Sequence, residues 1–198
     1  MSILLFNKWD LSEVKVEDMG LKRYLNTQPV IVPVTGGRFG TKSVHKKKIS
    51  IIERFMNKLM VPGHAGKRHK ITSGRCCGNS QTICLAMKMA LEIIEEKTKA
   101  NPVQTLVKAI ENAAMLEEVA SYRLGGIIAR KAVIVTPQRR LDLALRYLTQ
   151  CIYKSTFKNK KPLGGVIAEQ LMAAANNDPK CFAISERIRI EKEAEGAR

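Results

Sequence analysis

The stretch VASYRLGGIIARKAVIV, residues 119–135, decides the fold class because it interrupts a chain whose other periodic segments are helical. Two short runs, 119–124 and 127–135, flank Gly125-Gly126, and glycines tolerate the positive φ angles that tight hairpin turns require. The second run is also rich in β-branched residues, which favour strands. This stretch therefore predicts a β-ribbon.

Helices are predicted on both sides of the ribbon from apolar residues that recur every three or four positions. Upstream, such patterns cover 46–61 and 80–99, and a third helix begins at Asn101-Pro102, where Asn caps the free N–H groups. Downstream, Thr136-Pro137 repeats that signal for a fourth helix, and Pro162 begins a fifth. The expected fold is mainly α: a single helical domain of about five to six helices, with a protruding two-stranded β-ribbon and an extended N-terminal arm.

The chain divides into three parts. Residues 1–45 contain two prolines around a valine-rich segment, so we predict an arm that packs on the domain, with one helical turn near 20–25. Residues 46–177 are the expected helical domain, with the ribbon at about 119–135. Residues 178–198 alternate charges with few apolar anchors, which predicts a C-terminal helix or an extended tail.

Positive charge is concentrated in two segments, 38–79 and 120–161. Together they hold 21 of the 34 lysines and arginines, against only two acidic residues, Glu53 and Asp142, and the formal net charge of the 198-residue chain is +16. Exposed like charges repel one another, so this concentration favours two segments folded onto one surface that binds a polyanion. Nucleic acid is the leading candidate, and an aromatic content of 5% favours contacts with phosphates over stacking on bases.

Two helices carry cations in informative positions. In the first, Arg54 and Lys58 are expected off the core face, on a basic side. In the fourth, Arg139 and Arg140 lie in the first turn, where the helix dipole disfavours cations by a few tenths of a kcal/mol each. That placement indicates an anionic ligand, and ordinary solvated charges are the alternative.

Catalysis and metal binding find little support. The chain contains no phosphate-binding glycine loop, nucleophile elbow or metalloprotease helix pair. The best metal candidate combines His64, His69, Cys76 and Cys77, but vicinal cysteines do not match the two-residue gap of structural zinc sites. We therefore expect no enzyme, no metal and no cofactor, with a small hydrolase built on these four residues as a minor alternative.

Membrane insertion and disulfide bonding are not expected either. No apolar run approaches the ~20 residues of a membrane helix. Five cysteines without a secretory signal predict reduced thiols and an intracellular location. Cys151 and Cys181 show no pattern that suggests a partner.

Short motifs in a specific order carry a family likeness. The landmarks are Gly66-Lys67-Arg68, Asn101-Pro102-Val103-Gln104, Arg130-Lys131-Ala132-Val133, Pro137-Gln138-Arg139-Arg140, Phe157-Lys158-Asn159 and Phe182-Ala183-Ile184. In this order and spacing they resemble the universal small-subunit ribosomal protein seven family over nearly the whole chain. The stretch from Leu5 to Trp9 looks like the eukaryotic cytosolic branch, which implies a divergent member from a eukaryotic cytosolic ribosome, assembled in the nucleolus.

The resemblance implies a structural protein of the small ribosomal subunit. Such a protein binds the 3′ major domain of the small-subunit rRNA, supports head assembly beside neighbouring ribosomal proteins, and lies near the exit-site tRNA and the mRNA exit path. Matching positions and the basic segments together give the candidate RNA-binding residues: Arg38, Lys46, Lys47, Lys48, Lys67, Arg68, Lys70, Arg75, Arg123, Arg130, Lys131, Arg139, Arg140, Lys158 and Lys160.

The ribbon departs from the family pattern. Leu124 occupies a commonly basic position at the tip, and Ala129 replaces the first of a usual arginine pair. These changes remove cations from the part expected to contact tRNA or mRNA. A different class of binder remains open at this point: a DNA-binding helical domain whose basic ribbon lies in a groove, which would prefer duplex DNA to structured RNA in competition.

Overall fold

A computed structural model describes residues 3–61, 76 and 78–198. Within these ranges it contains six α-helices and two antiparallel strands, so the prediction of a mainly α fold with a β-ribbon is confirmed. The elements are α1 (Ile51–Leu59), α2 (Ser80–Thr98), α3 (Pro102–Ala113), β1 (Glu117–Leu124), β2 (Ile127–Ile134), α4 (Pro137–Thr156), α5 (Leu163–Ala175) and α6 (Phe182–Glu195).

Helix α5 lies at the centre of the core, in contact with α2, α3 and α4. It buries eight of its 13 residues, and each large aliphatic side chain removed from water contributes about 1.5–3 kcal/mol. Gly164 marks the closest approach to α2, because a Cβ added there would lie 2.9 Å from the carbonyl oxygen of Ala86 and from the Met89 side chain. The glycine that weakens α5 as a helix is thus what lets α2 and α5 pack.

Two helix starts follow their sequence signals. Asn101 accepts a hydrogen bond from the Val103 N–H at 3.0 Å, with Pro102 at the first helical position, as predicted. Helix α4 also begins at its proline, Pro137, but the Thr136 side chain makes no capping hydrogen bond. The proline alone marks that boundary.

The predicted helix 46–61 is shorter than expected. A 3-10 helix covers Ser43–Lys48, and α1 begins only at Ile51. Between them the backbone is extended because Asn26 of the arm binds it: the Asn26 carbonyl accepts from the Ile51 N–H at 3.0 Å, and its side-chain amide donates to the Lys48 carbonyl at 2.7 Å. A tertiary contact with a distant segment therefore overrides the local helical pattern.

The N-terminal segment is part of the same core as the helices. Leu5, Trp9 and Leu21 are buried in it. The Trp9 indole donates to Glu95 on α2 at 3.0 Å, so the indole N–H is satisfied while its ring is buried. A hydrogen-bonded turn from Leu21 to Leu25 lies where a helical turn was predicted.

The ribbon pairs β1 with β2 through a two-residue turn in which Gly125 has φ +59°. The base of the ribbon contacts α6, which packs against α4 and β1. The sequence predicted either a helix or an extended tail for this C-terminal segment. Residues 182–195 are helical, anchored by buried Ala183, Ile184 and Ala194.

Two buried cysteines lie together in the core. The Sγ atoms of Cys151 and Cys181 are 3.7 Å apart, and the Cys151 thiol donates to Gln170 Oε1 at 2.9 Å. The hydrogen bond with Cys181 and burial raise the pKa of Cys151, which keeps it a protonated thiol. No sequence pattern indicated this contact, because the two residues are 30 positions apart.

Candidate nucleic-acid interface

Cations of the first basic segment lie on the surface. Lys46, Lys47 and Lys48 are exposed at the end of the 3-10 helix, and Arg38 is exposed in a turn that precedes it. Three consecutive lysines in a tight helix point in different directions, since side chains there are separated by about 120°. The segment therefore presents positive charge over a broad arc.

Asp142 on α4 joins the two basic segments. Its carboxylate lies 2.9 Å from the Arg54 guanidinium and 3.6 Å from the Lys46 ammonium group. Because Asp142 belongs to the second segment and both cations belong to the first, the fold brings the segments side by side at this point. This is the juxtaposition that the charge distribution predicted.

Arg54 itself is not on a basic outer side, as the sequence suggested, but buried, with 5% of its side chain exposed. Burial lowers the pKa of Arg54, and the charge and hydrogen bond of Asp142 oppose that shift. The guanidinium also donates to the Tyr24 carbonyl at 3.4 Å. The expectation was wrong because periodicity treats every cation as polar, whereas a paired arginine can be buried.

The ribbon presents cations on both faces. Arg130 is paired with Ser121 and Lys131 with Ala120, so these consecutive cations point to opposite sides. Arg123 lies on the same face as Arg130, and all three are exposed. A ribbon with this arrangement can neutralise phosphates on either side.

The anions next to Arg139 and Arg140 are carboxylates of the protein itself. Arg139 binds Glu118 at 2.6 Å and stays 57% exposed. Arg140 is only 8% exposed: it binds Asp18 at 2.7 Å and donates to the Met115 carbonyl at 3.1 Å. RNA contact by Arg140 stays a prediction, but its guanidinium is already occupied by protein oxygens.

Further cations follow α4. Lys158 and Lys160 are exposed in the turn after the helix, and the Lys158 ammonium lies 5.9 Å from the Phe157 ring centroid. Lys154 sits over the ring of Phe182 at 3.3 Å, a cation–π contact that joins α4 to α6. Lys154 was not among the candidate residues, and its signal was its place in the run of lysines at the end of α4.

Four candidate residues, Lys67, Arg68, Lys70 and Arg75, lie outside the described residues, as do His64, His69 and Cys77 of the zinc hypothesis. Among the residues that the structure does describe, no three His, Cys, Asp or Glu side chains are placed to hold a metal ion. In the same ranges, no helix combines the length and the apolar character needed to cross a membrane.

Comparisons with known proteins place the chain among ribosomal sequences. The family model described as ribosomal protein S7p/S5e matches residues 21–198. The small ribosomal subunit protein uS7 of Nanoarchaeum equitans is 42% identical over 198 residues and covers all of both chains. Those of Methanosphaera stadtmanae, also 42% identical over 198 residues with full coverage, and Methanococcoides burtonii, 41% identical over 194 residues and 98% of each chain, are similar.

These three relatives are archaeal, and the first two align with the whole chain, including the N-terminal stretch that resembles the eukaryotic branch. That stretch therefore does not separate eukaryotic from archaeal members. The expectation of a eukaryotic source is not confirmed.

Proposed function

The chain belongs to the ribosomal protein S7p/S5e family, and from that premise we propose that it is a structural, non-enzymatic component of the small ribosomal subunit. Its partners are the small-subunit rRNA and neighbouring ribosomal proteins, and its location is the ribosome in the cytoplasm. The observation that carries the proposal is the family match over residues 21–198.

The charge arrangement supplies the mechanism. Lys46 from the first basic segment and Asp142 from the second are in contact, so exposed cations of both segments can face one RNA surface. Binding there releases counterions condensed on the RNA, and each phosphate neutralised changes the log-log salt slope by about 0.7–0.9. Few aromatic side chains are available for base stacking, so the contacts position the protein rather than read sequence.

The finer assignment follows the family likeness. We place the protein on the 3′ major domain of the rRNA, where it supports head assembly, with Lys67 and Arg68 among its RNA contacts. Lys70 and Arg75 are added because they belong to the first basic segment. Arg140 is the candidate we weight least, because Asp18 and the Met115 carbonyl hold its guanidinium.

The ribbon is proposed to reach towards the exit-site tRNA and the mRNA exit path. Its support is exposure: Arg123, Arg130 and Lys131 lie on a two-stranded element whose apolar residues Ile127 and Ile128 are also mostly solvent-exposed. Nucleolar assembly belongs to this proposal only for a eukaryotic source.

Sedimentation of the tagged protein from its own cells tests the proposal. We expect stoichiometric co-migration with the small subunit on a sucrose gradient, both with magnesium and after EDTA separates the subunits. Recovery at the top of the gradient, or on chromatin, contradicts it and favours the DNA-binding alternative.

A charge-matched pair of variants ties the result to the proposed surface. Replacing Lys46, Lys47 and Lys48 with Gln should lower subunit occupancy in competition with the untagged protein. Replacing Lys97 near the end of α2, Lys99 at its C-cap and Lys108 in the middle of α3 with Gln removes the same charge and should not. Equal effects would mean that net charge alone drives association.

A further inference from the structure

A cleft of about 260 Å³ lies between α1 and α4. Its apolar walls are Ile49, Val61 and Leu145, and the ion pair between Arg54 and Asp142 forms part of its lining. The cleft therefore lies where the two basic segments meet.

Two further cations are placed beside this ion pair. Lys58 lies four residues after Arg54 on α1, and Arg146 lies four residues after Asp142 on α4. Residues four apart share one face of a helix, so both side chains continue the face that the ion pair begins. Lys58 lines the cleft and is half-buried. Arg146 is exposed, and its charge acts on Lys58.

The charges here do not balance. The charged groups that act on Lys58 are one anion, Asp142, and three cations, Arg146, Lys46 and Arg54. Burial, together with the three cations, lowers the pKa of Lys58 against the attraction of Asp142. Asp142 already binds both Arg54 and Lys46, so it has little capacity left for Lys58 and Arg146.

We infer that this cleft binds one phosphate group of the RNA backbone, held between Lys58 of α1 and Arg146 of α4, with Lys46 at the rim. This inference rests on the proposed function for the source of the phosphate. A phosphodiester supplies the missing negative charge and accepts hydrogen bonds from an ammonium and a guanidinium group together. Neither Lys58 nor Arg146 was among the residues that the sequence or the family likeness singled out for RNA contact.

Two measurements test the inference: Lys58→Gln should weaken RNA binding and stabilise the free protein. In equilibrium binding to a transcript of the 3′ major domain, Lys58→Gln should raise Kd about tenfold and reduce the salt slope by about 0.7–0.9. The same substitution should raise the Tm of the free protein by about 2 °C, because it removes a cation that its neighbours repel. If Lys58 had only a structural role, its replacement would lower the Tm and leave the salt slope unchanged.

The controls separate the possible failures. Lys97→Gln removes the same charge from α2, outside the cleft, and should change Kd less than twofold. Arg146→Gln should raise Kd by about the same factor as Lys58→Gln. The double variant should raise Kd by less than the product of the two single factors, because both residues hold one phosphate. Additive losses, or equal effects of Lys58→Gln and Lys97→Gln, overturn the cleft, whereas failure of the wild-type protein to bind the transcript overturns the proposed function itself.

Discussion

Helix α5 and the β-ribbon use similar apolar residues in opposite ways. In α5, Leu163, Ile167 and Leu171 are buried among three other helices. In the ribbon, Ile127 is 75% exposed, and Ile134 is 85% exposed. The isoleucines of the ribbon favour a strand without packing against the core of the chain. The identity of α5 residues is therefore set by neighbours within the chain, and that of the ribbon residues by the surroundings that the ribbon contacts.

The glycine pairs show the same difference. Gly125 at the ribbon turn has a positive φ and nothing within 4 Å of an added Cβ, so its role is purely conformational. Gly164 in α5 has an ordinary helical backbone, but a Cβ there would overlap α2. One glycine allows a turn and the other allows two helices to approach.

The largest expected effect comes from filling the contact in α5. Gly164→Ala should destabilise the protein by about 2–3 kcal/mol, because the added methyl group would meet the Ala86 carbonyl oxygen at 2.9 Å and force α2 away. Chemical denaturation of the free protein measures this loss.

Gly165→Ala is the matched control, since an added Cβ there meets only the Pro162 ring, at 3.7 Å. It should stabilise the protein by up to about 1 kcal/mol through higher helix propensity. If both variants behaved alike, the close approach of α2 and α5 would be wrong, and the comparison with the ribbon would lose its basis.

Periodicity predicted most of this fold because most helices here have one apolar face. It failed at 46–50, where a 3-10 helix ends at Lys48 and Asn26 from the arm holds the next two residues extended, and at Arg54, where Asp142 makes burial possible. Both errors have one cause: a partner distant in sequence supplies an interaction that no local window contains.

The candidate site was predictable in its location but not in its pairings. Charge concentration identified the two segments that meet at Asp142. It could not tell Arg139, which remains largely exposed, from its neighbour Arg140, which is buried, because adjacent helical residues point about 100° apart and only tertiary contacts decide which side is covered.

These adjacent arginines provide the next test, since Arg140 belongs to the buried region and Arg139 to the exposed one. Arg140→Met should cost about 1–2 kcal/mol, because it leaves Asp18 and the Met115 carbonyl without their donor. Arg139→Met should stay within about 0.5 kcal/mol, as expected for an exposed ion pair. Equal losses would contradict the division between the two regions at this position.

The effect at Arg140 should also depend on pH. Burial acts to raise the pKa of Asp18. The hydrogen bonds that Asp18 accepts from Arg140 and from the Gly20 N–H outweigh the effect of burial, so the pKa is lowered. A lowered folded-state pKa gives stability that is present above the ordinary aspartate value of about 3.9 and lost as the pH falls through the folded value. The difference between the wild-type protein and Arg140→Met should therefore shrink below about pH 4, and a constant difference would mean that packing dominates.

The smallest effect on stability is expected in the ribbon, where the effect on binding should be clear. Replacing Arg123 and Arg130 with Gln should change the free energy of unfolding by less than about 0.5 kcal/mol, since both side chains are exposed on one face of the hairpin. If that face contacts two phosphates, the salt slope for binding to assembled small subunits should fall by about 1.4–1.8, because each contact contributes about 0.7–0.9.

The Lys131→Gln variant separates the two faces, as Lys131 points to the opposite side. A slope change confined to one face would show how the ribbon lies on the RNA, whereas unchanged slopes in both variants would mean that the ribbon's exposed surface serves a protein partner instead.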